Sequence, residues 1–248
     1  MISIIIATFN SERTIYAALN SVLNQTYQNF EICLSNDCST LQETIDTLNE
    51  YTMKDNRIHY ISEPDKGIYD AFNKGWKLAK GEWLYYLGSD DLLLPTGLEN
   101  LIKDTNTNSY DVIYGNVVRK STSGEIMKSK TCGHKSLPYK MLACHQGIIT
   151  KKVLVQKLNG FDLNIKTYAD KDLYIRSILQ KERTRFLYKN VDVAIFTSGG
   201  ASEISIEKFK EEFRIYKKNH LSLSYILFQL LRNIWLYIKK ILNLDVNI

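Results

Sequence analysis

Short apolar segments alternate with segments of helical periodicity through residues 1–90, and this alternation limits the fold more than any other feature of the chain. The apolar segments are residues 2–7, 30–35, 58–61 and 83–87. The first is almost wholly apolar and rich in isoleucine, which is typical of a parallel strand buried on both faces. Strands that alternate with helices form βαβ units with right-handed crossovers. The sequence therefore predicts an α/β fold built on a mostly parallel sheet.

The alternation becomes less regular after Pro95. The sequence predicts a helix after this proline, a strand at residues 111–118, an antiparallel excursion near Ile126 and a strand at 145–150 that leads into a helix at 151–158. A further helix opens at residues 168–172 and runs to 179, and a last strand covers 191–196. Residues 197–202 are rich in glycine and serine and predict a loop suited to a lid. Everything from residue 203 onward has helical periodicity.

Polar side chains follow the predicted strands at the points where the strands end. Thr8 and Asn10 come after the first strand, Asp37 after the second, and Asp90 and Asp91 after the fourth. In open parallel sheets, ligands bind outside the carboxyl ends of the strands, so these side chains are expected to share one cleft. Two adjacent carboxylates offer hard oxygen ligands for Mg²⁺ or Mn²⁺, an ion that commonly bridges phosphate oxygens. The sequence therefore predicts a nucleoside-diphosphate site, although strand-end acids such as Asp37 can also cap the following helix.

The positive charge of the chain lies in its last part. The formal net charge is +5, and after residue 207 eight Lys or Arg face three Asp or Glu, so residues 1–207 are balanced. This distribution argues against a nucleic-acid surface across the domain. The four cysteines have irregular spacings without CxxC and no charged-then-apolar leader precedes Ile2, which predicts free thiols in the cytoplasm.

Residues 221–242 predict an amphipathic helix with a wide apolar face and a basic flank. Polar residues interrupt it too often for a membrane span, and two interpretations remain open. One is peripheral contact with an anionic membrane surface at the inner face of the cell membrane. The other is packing against the chain itself or dimerisation through the same helix.

Two other classes of nucleotide enzyme are disfavoured by the first strand-to-helix turn. A nucleotidyltransferase would need a glycine-rich, basic phosphate loop there, and residues 7–10 read Ala-Thr-Phe-Asn. A dehydrogenase would need G-x-G-x-x-G after a strand, and none occurs.

Four ordered motifs resemble those of family 2 glycosyltransferases: residues 4–10 (IIIATFN), 35–40 (SNDCST), 65–75 (DKGIYDAFNKG) and 87–91 (LGSDD). The resemblance covers about residues 1–202, and the third motif is especially similar to the bacterial branch that builds capsule, exopolysaccharide and O-antigen units. It implies a GT-A domain at residues 1–202, with a nucleotide-sugar half at 1–118 and an acceptor half at 119–202. Residues 203–248 would then be a helical, basic tail.

The resemblance also implies an inverting transfer from a nucleotide-diphosphate sugar, assisted by Mn²⁺ or Mg²⁺. Carried over by position, Asp170 matches the catalytic base and Asp91 the principal metal ligand, with Asp90 beside it facing the ribose or sugar. The implied donor site comprises Thr8, Asn10, Asp37, Lys66, Gly67, Asp70, Asn73 and Asp90. His145 is a candidate on the acceptor side, with an ordinary buried histidine as the alternative, and Lys66 is either a diphosphate contact or a solvated lysine.

Three positions depart from the family pattern. Gly88 and Asn36 stand where acids are common, and Ala169 stands where Glu often precedes the base. The last departure leaves a choice between Asp170 and Asp172, of which Asp170 is preferred because it can face the cleft from the start of the helix. The departures also allow an alternative function, a weak or inactive partner subunit that holds another transferase at the membrane.

Overall fold

The computed structural model describes residues 1–121, 125–128, 131–137, 140–197 and 206–241. The strands are β1 (Ile2–Thr8), β2 (Phe30–Asn36), β3 (Ile58–Ser62), β4 (Trp83–Gly88), β5 (Leu92–Leu93), β6 (Val112–Lys120), β7 (Ile126–Lys128), β8 (Ile148–Lys151) and β9 (Phe186–Thr197). The helices are α1 (Ile15–Leu23), α2 (Gln42–Lys54), α3 (Ile68–Leu78), α4 (Gly97–Ile102), α5 (Lys152–Lys157), α6 (Ala169–Ile178), α7 (Ile206–Lys218) and α8 (Leu223–Ile241). The predicted lid at 198–202 and the last residues, 242–248, lie outside the described part of the chain.

The strands form one mixed sheet with the order β3-β2-β1-β4-β8-β6-β9-β5, and β7 pairs with β6. Strands β3, β2, β1 and β4 are parallel, as the alternation of strands and helices predicts. Strand β8 lies antiparallel between β4 and β6, and β6 pairs with β9 in parallel. The α/β architecture is therefore confirmed, including the antiparallel excursion at β7.

Helices cover both faces of the sheet, which explains the apolar character of the central strands. Every residue of β1, β2 and β4 is buried. On one face, apolar residues of β1, β2 and β4 pack with α1, α2 and α4. On the other, Ile5 and Ala7 of β1 pack in a cluster that includes apolar residues of α3, α5 and α6. A strand with a helix layer on each side gains from apolar residues at every position, not at alternate positions.

Two predicted boundaries were wrong. The strand predicted at residues 145–150 is a 3-10 turn at His145–Gly147 followed by β8, because the Gly147 N–H bonds the carbonyl of Cys144 and closes a turn. The strand predicted at 191–196 begins earlier, at Phe186, and its pairing with β6 is irregular between Tyr114 and Val117. Polar residues at 189–190 hid the first half of β9 from a pattern based on apolar runs.

The first part of the predicted tail packs into the core. Ile215 and Tyr216 of α7 are buried in the same apolar cluster as Leu173 of α6, and Tyr225 at the start of α8 joins them. Helix α8 then leaves a row of large apolar side chains exposed. None of the helices in the described part of the chain has the length and apolar character needed to cross a bilayer.

Candidate active site

The carboxyl ends of β1, β2 and β4 are aligned by the register of the sheet. Thr8 pairs with Asn36 of β2, and Ala7 pairs with Gly88 of β4. The turns that follow these three strands consequently open at the same edge. The polar residues that the sequence places after the strands are brought to this edge together.

Thr8 and Asn10 are bonded within the protein. The Thr8 hydroxyl bonds the Ser11 hydroxyl. Asn10 has a positive φ of 44° and its Oδ1 accepts from the N–H groups of Thr40 at 2.8 Å and Leu41 at 3.2 Å. Asparagine tolerates this left-handed backbone better than most residues. These contacts tie the turn after β1 to the turn after β2, so both residues shape the wall of the cleft.

Asp37 fixes the segment that precedes α3. Its Oδ1 accepts from the Asp65 N–H at 2.7 Å. Burial raises the pKa of Asp65, and the charges of Asp37 and Asp70 raise it further. This end of the cleft therefore carries negative charge. A ligand group that donates hydrogen bonds suits it better than an anionic group does.

The segment from Lys66 to Asp70 turns into α3 around Gly67. Gly67 has a φ of 113°, which a side chain would strain, and its N–H bonds Asp65 Oδ1 at 2.7 Å. Lys66 is exposed, while its backbone N–H donates to Asp70 Oδ2 at 3.0 Å. Asp70 therefore closes the first turn of α3, and the Lys66 ammonium remains at the rim of the cleft.

Asn73 has a structural function that the sequence did not predict. It is buried, its Nδ2 donates to the Phe161 carbonyl at 2.8 Å, and its Oδ1 accepts from Phe161 N–H and from Trp76 Nε1. Both acceptor positions of that oxygen are thus occupied by the protein. Asn73 holds the Gly160–Phe161 turn against α3, and its contact with the donor stays a prediction.

Replacing Gly160 by alanine is expected to lower the free energy of unfolding by about 3 kcal/mol, because two costs add. Gly160 has a φ of +67°, and an added Cβ would lie 2.3 Å from Asn73 Oδ1. A left-handed backbone costs a non-glycine residue ~1–2 kcal/mol, and overpacking typically costs ~1–3 kcal/mol. Gly133→Ala is the matched control, since its φ is +80° but its Cβ would meet nothing closer than 3.6 Å. Equal losses in urea denaturation of the two variants would contradict the clash with Asn73.

The acidic pair after β4 divides into an exposed and a buried carboxylate. Asp90 is exposed, whereas Asp91 is 2% exposed. Asp91 Oδ2 accepts from Gly88 N–H at 3.2 Å and from Gln146 Nε2 at 2.8 Å. A Cβ on Gly88 would lie 2.7 Å from Asp91 Oδ2, so glycine allows the carboxylate to fold back onto the strand end.

Asp91 Oδ1 is buried without a hydrogen-bond partner among the described residues. Burial raises the pKa of Asp91, and the nearby His145 opposes this shift. An unpaired buried carboxylate oxygen is costly unless a cation or a donor meets it. Together with the exposed carboxylate of Asp90 it offers hard oxygen donors that fit Mg²⁺ or Mn²⁺. The described residues contain no group of three His, Cys, Asp or Glu side chains that could hold a metal, so the remaining ligands would be water and substrate oxygens.

Adjacent residues of the 3-10 turn contact the two acidic centres of the cleft, which are Asp91 and Asp170. Gln146 bonds Asp91, and His145 Nδ1 lies 3.9 Å from Asp170 Oδ2. The His145 ring packs edge-on against Phe72, with 6.0 Å between ring centroids. His145 Nε2 is buried without a partner among the described residues. The structure thus brings Asp91, His145 and Asp170 together.

Asp170 stands in the first turn of α6, where two donors and one histidine ring contact its carboxylate. Its Oδ1 accepts from the Lys171 N–H at 2.8 Å and from the Tyr69 hydroxyl at 3.2 Å, and Oδ2 faces His145. The Tyr69 hydroxyl also contacts the Thr167 carbonyl at 2.7 Å. Burial raises the pKa of Tyr69 well above its ordinary value, and the charge of Asp170 adds to this shift, so Tyr69 stays a neutral donor.

Asp172 points away from the cleft. Its side chain is 0% exposed and accepts from Arg176 Nε at 2.7 Å, from Lys218 Nζ at 3.2 Å and from Asn219 Nδ2 at 2.9 Å. Arg176 lies one turn along α6, whereas Lys218 and Asn219 end α7. Asp170 therefore lies in the cleft and Asp172 in a buried ionic network, an arrangement that favours the predicted choice of Asp170.

Helix α7 holds the loop that precedes Asp170. The Glu211 carboxylate accepts from the N–H groups of Lys166 at 2.5 Å, Thr167 at 2.8 Å and Tyr168 at 3.2 Å. One residue further along α7, Glu212 pairs with the buried ammonium of Lys171. A carboxylate that accepts several backbone donors fixes the path of a loop.

Sequence reasoning missed Tyr69, Gln146 and Glu211 as parts of this arrangement. Tyr69 lies inside the third motif and Gln146 follows His145, so proximity to predicted site residues was a usable signal for both. Glu211 is one of many charged residues in α7, and nothing in the local sequence distinguishes it from exposed ones such as Lys210.

Comparison with known proteins identifies the family of the chain. Residues 3–165 match the family described as Glycosyl transferase family 2. A PGL/p-HBAD biosynthesis glycosyltransferase of Mycobacterium tuberculosis is 32% identical over 215 residues, which cover 84% of this chain and 81% of that protein. The Escherichia coli protein named UDP-Glc:alpha-D-GlcNAc-diphosphoundecaprenol beta-1,3-glucosyltransferase WfaP is 40% identical over 117 residues, 47% of this chain and 45% of its own length.

Two solved structures share the fold. Staphylococcus aureus TarS 1–349 in complex with UDP-GlcNAc superposes with a TM-score of 0.69 at 22% identity, covering 88% of this chain and 66% of that one. The mannosyltransferase PcManGT from Pyrobaculum calidifontis, in complex with GDP-Man and Mn²⁺, gives a TM-score of 0.63 at 15% identity, covering 88% of this chain and 63% of that one. At these identities the likeness concerns the fold alone, and it agrees with the expected GT-A architecture.

Proposed function

The chain belongs to the family 2 glycosyltransferases and is a nucleotide-sugar-dependent transferase with the GT-A fold, and we propose that it transfers a sugar, with inversion, to a hydroxyl of a glycan or lipid-linked saccharide during bacterial surface polysaccharide synthesis. One observation carries the proposal. Neighbouring residues of a single turn bind the two acidic centres, since Gln146 bonds Asp91 and His145 faces Asp170. An inverting transfer needs one carboxylate near the acceptor and others near the leaving diphosphate, and this turn keeps both in one cleft.

Asp170 is the proposed general base. The acceptor hydroxyl must lose a proton as it attacks the anomeric carbon, and a carboxylate within hydrogen-bond reach contributes typically ~10²–10⁴ in rate. The Lys171 N–H and the Tyr69 hydroxyl donate to one oxygen of Asp170, which fixes its orientation and leaves Oδ2 directed to the side of His145. His145 is proposed to border the acceptor position.

The donor is proposed to lie along the aligned strand ends. Thr8 and Asn10 shape the nucleotide wall, Asp37 accepts a hydrogen bond from the base, and Lys66 at the rim contacts the diphosphate. Gly67 and Asp70 set the path of that rim. Uracil, thymine and guanine all carry an N–H that can donate a hydrogen bond to Asp37, so UDP, dTDP and GDP sugars remain candidates.

Asp90 and Asp91 are proposed to hold Mn²⁺ or Mg²⁺, which when bound supplies Lewis-acid stabilisation of the departing diphosphate. Asp90 also faces the ribose or sugar of the donor, because it is the exposed member of the pair. Asp91 contributes the buried Oδ1, and the absence of a hydrogen-bond partner for it among the described residues supports this role.

Nucleotide binding tests the donor site. We expect calorimetry with UDP, dTDP, GDP and CMP to detect binding of one nucleotide that requires Mn²⁺, and we expect Asp91→Asn to abolish it. Asp104→Asn is the matched control, because Asp104 is exposed and its φ of 54° suits asparagine equally well. Binding of no nucleotide by the wild type would instead favour an inactive partner subunit, the alternative suggested by Gly88 and Ala169.

A further inference from the structure

Apart from the cleft at the strand ends, the structure contains a cavity between α8 and the part of the chain that includes Lys135 and Lys140. Its volume is about 770 Å³, and its lining includes three cationic side chains, Lys135, Lys140 and Arg232, with the hydroxyls of Ser222 and Ser224. None of the described residues that line it is acidic. Cations and hydroxyl donors around one concave space are the chemistry that binds phosphate groups.

A buried amide in this cavity lacks an acceptor. Gln229 is 1% exposed, and its Oε1 accepts from an Arg232 guanidinium nitrogen at 2.8 Å. Its Nε2 is buried with no hydrogen-bond partner among the residues that the structure describes. A buried donor left unsatisfied is unfavourable, and an oxygen of a bound anion would offset this cost.

The cavity borders the exposed apolar face of α8. Phe228 both lines the cavity and is 56% exposed. The other large exposed residues of the face recur at helical spacing: Leu223, Leu227, Leu230, Leu231, Ile234 and Trp235. An apolar face next to a cationic cavity matches a ligand with an anionic head and an apolar chain.

The cavity is also close to the acceptor side of the active site. Burial lowers the pKa of Lys171 and raises that of Tyr168 to about 12, and the positive charge of Arg232 acts on both groups in the lowering direction. Tyr168 and Lys171 flank Asp170 at the start of α6. Tyr225 packs edge-on against Tyr216 at 5.1 Å between ring centroids, which fixes α8 on α7 and hence on the Asp170 loop.

We propose that this cavity binds the diphosphate of a lipid-linked saccharide acceptor and that the lipid lies along the apolar face of α8. The inference rests on the proposed function, because the sugar attached to that diphosphate would be the group presented to Asp170. A symmetric dimer through the same face would bring two cationic cavities towards each other, and like charges across an interface are unfavourable. The charge of the cavity therefore favours an anionic lipid over a second copy of the chain.

Vesicle binding tests the site without any turnover. The full chain is mixed with phosphatidylcholine vesicles that contain polyprenyl diphosphate, phosphatidylglycerol at equal charge, or no anionic lipid. We expect selective binding to the polyprenyl diphosphate vesicles and competition by inorganic pyrophosphate. Lys135→Ala/Lys140→Ala is expected to weaken this binding at least about tenfold, since it removes two of the three cations that line the cavity. Lys77→Ala/Lys181→Ala removes the same charge from exposed positions elsewhere and should bind as the wild type does.

Gln229→Leu separates a ligand contact from a structural one. It removes the unsatisfied amide nitrogen and also the acceptor of Arg232, whose half-buried guanidinium can bond water instead, so we expect an unchanged or higher Tm together with weaker binding to the diphosphate vesicles. A lower Tm with unchanged vesicle binding would overturn the role of Gln229.

Three results would overturn the proposal as a whole. One is equal binding to the two kinds of anionic vesicle, which would reveal only a general basic surface. Another is failure to bind any vesicle while the chain forms a dimer that Ile234→Asp disrupts. The third is efficient transfer to lipid-linked acceptors by Lys135→Ala/Lys140→Ala with the KM of the wild type. Failure of the proposed function would look different, as vesicle binding would persist in a protein that binds no nucleotide.

Discussion

Asp170→Asn is expected to lower the rate of sugar transfer by ~10²–10⁴ and to leave donor nucleotide binding unchanged. Asparagine keeps the size of the side chain and one oxygen for the Lys171 N–H and the Tyr69 hydroxyl, so the fold of the α6 start should be retained. What it loses is the capacity to take a proton from the acceptor hydroxyl. The measurement is the transfer rate at saturating donor, accompanied by calorimetry with the nucleotide that the wild type binds.

Two comparisons make this experiment decisive. Asp104→Asn, the exposed control, should transfer sugar as the wild type does. Tyr69→Phe should reduce the rate less than Asp170→Asn, because it removes one donor to the carboxylate and keeps the carboxylate itself. Undiminished transfer by Asp170→Asn would refute the assignment of the base, and an unaffected partner transferase would favour the scaffold alternative.

The sheet, and the edge at which the turns after its strands gather, could be predicted because the sequence patterns that indicate them are local. A strand buried on both faces carries apolar residues at consecutive positions, as residues 4–7 and 32–34 do, and this is visible without any tertiary information. Parallel pairing then places the strand ends side by side, and the observed pairs Thr8 with Asn36 and Ala7 with Gly88 follow from it. Strand β9 was predicted only in part, since Lys189 and Asn190 interrupt the apolar pattern of its first half, which pairs with β6.

The use made of each polar side chain could not be predicted in the same way. Asn73 bonds Phe161, 88 residues away, and Gln146 bonds Asp91, 55 residues away. Such contacts depend on how the turn at His145–Gly147 and the turn at Gly160 fold back onto the sheet. A motif predicts which residues gather at a cleft, but long-range contacts decide which of them remain available to a ligand.

Helix α7 shows why the predicted tail is more than an appendage. Glu211 fixes the three amides before Asp170, Glu212 pairs with Lys171, and Lys218 reaches Asp172. Acidic and basic residues of this helix, which an amphipathic pattern assigns to solvent, therefore hold the loop and helix that carry the proposed base. Asp170 itself is held by the Lys171 N–H and Tyr69, whereas Asp172 belongs to the ionic network, so activity and stability are expected to respond differently to changes in the two aspartates.

Asp172→Asn is expected to lower the free energy of unfolding by about 3 kcal/mol, at the low end for a broken buried ion pair because Arg176 and Lys218 partly reach solvent. Asparagine cannot neutralise these cations, and its amide nitrogen would face donors. Urea denaturation should show a lower midpoint at unchanged m, and Glu50→Gln, at an exposed pair with Lys54, should change stability by no more than ~0.5 kcal/mol. At low temperature the folded Asp172→Asn protein should still transfer sugar, whereas Asp170→Asn should be stable and inactive. The opposite pattern would identify Asp172 as the base, against the geometry of the cleft.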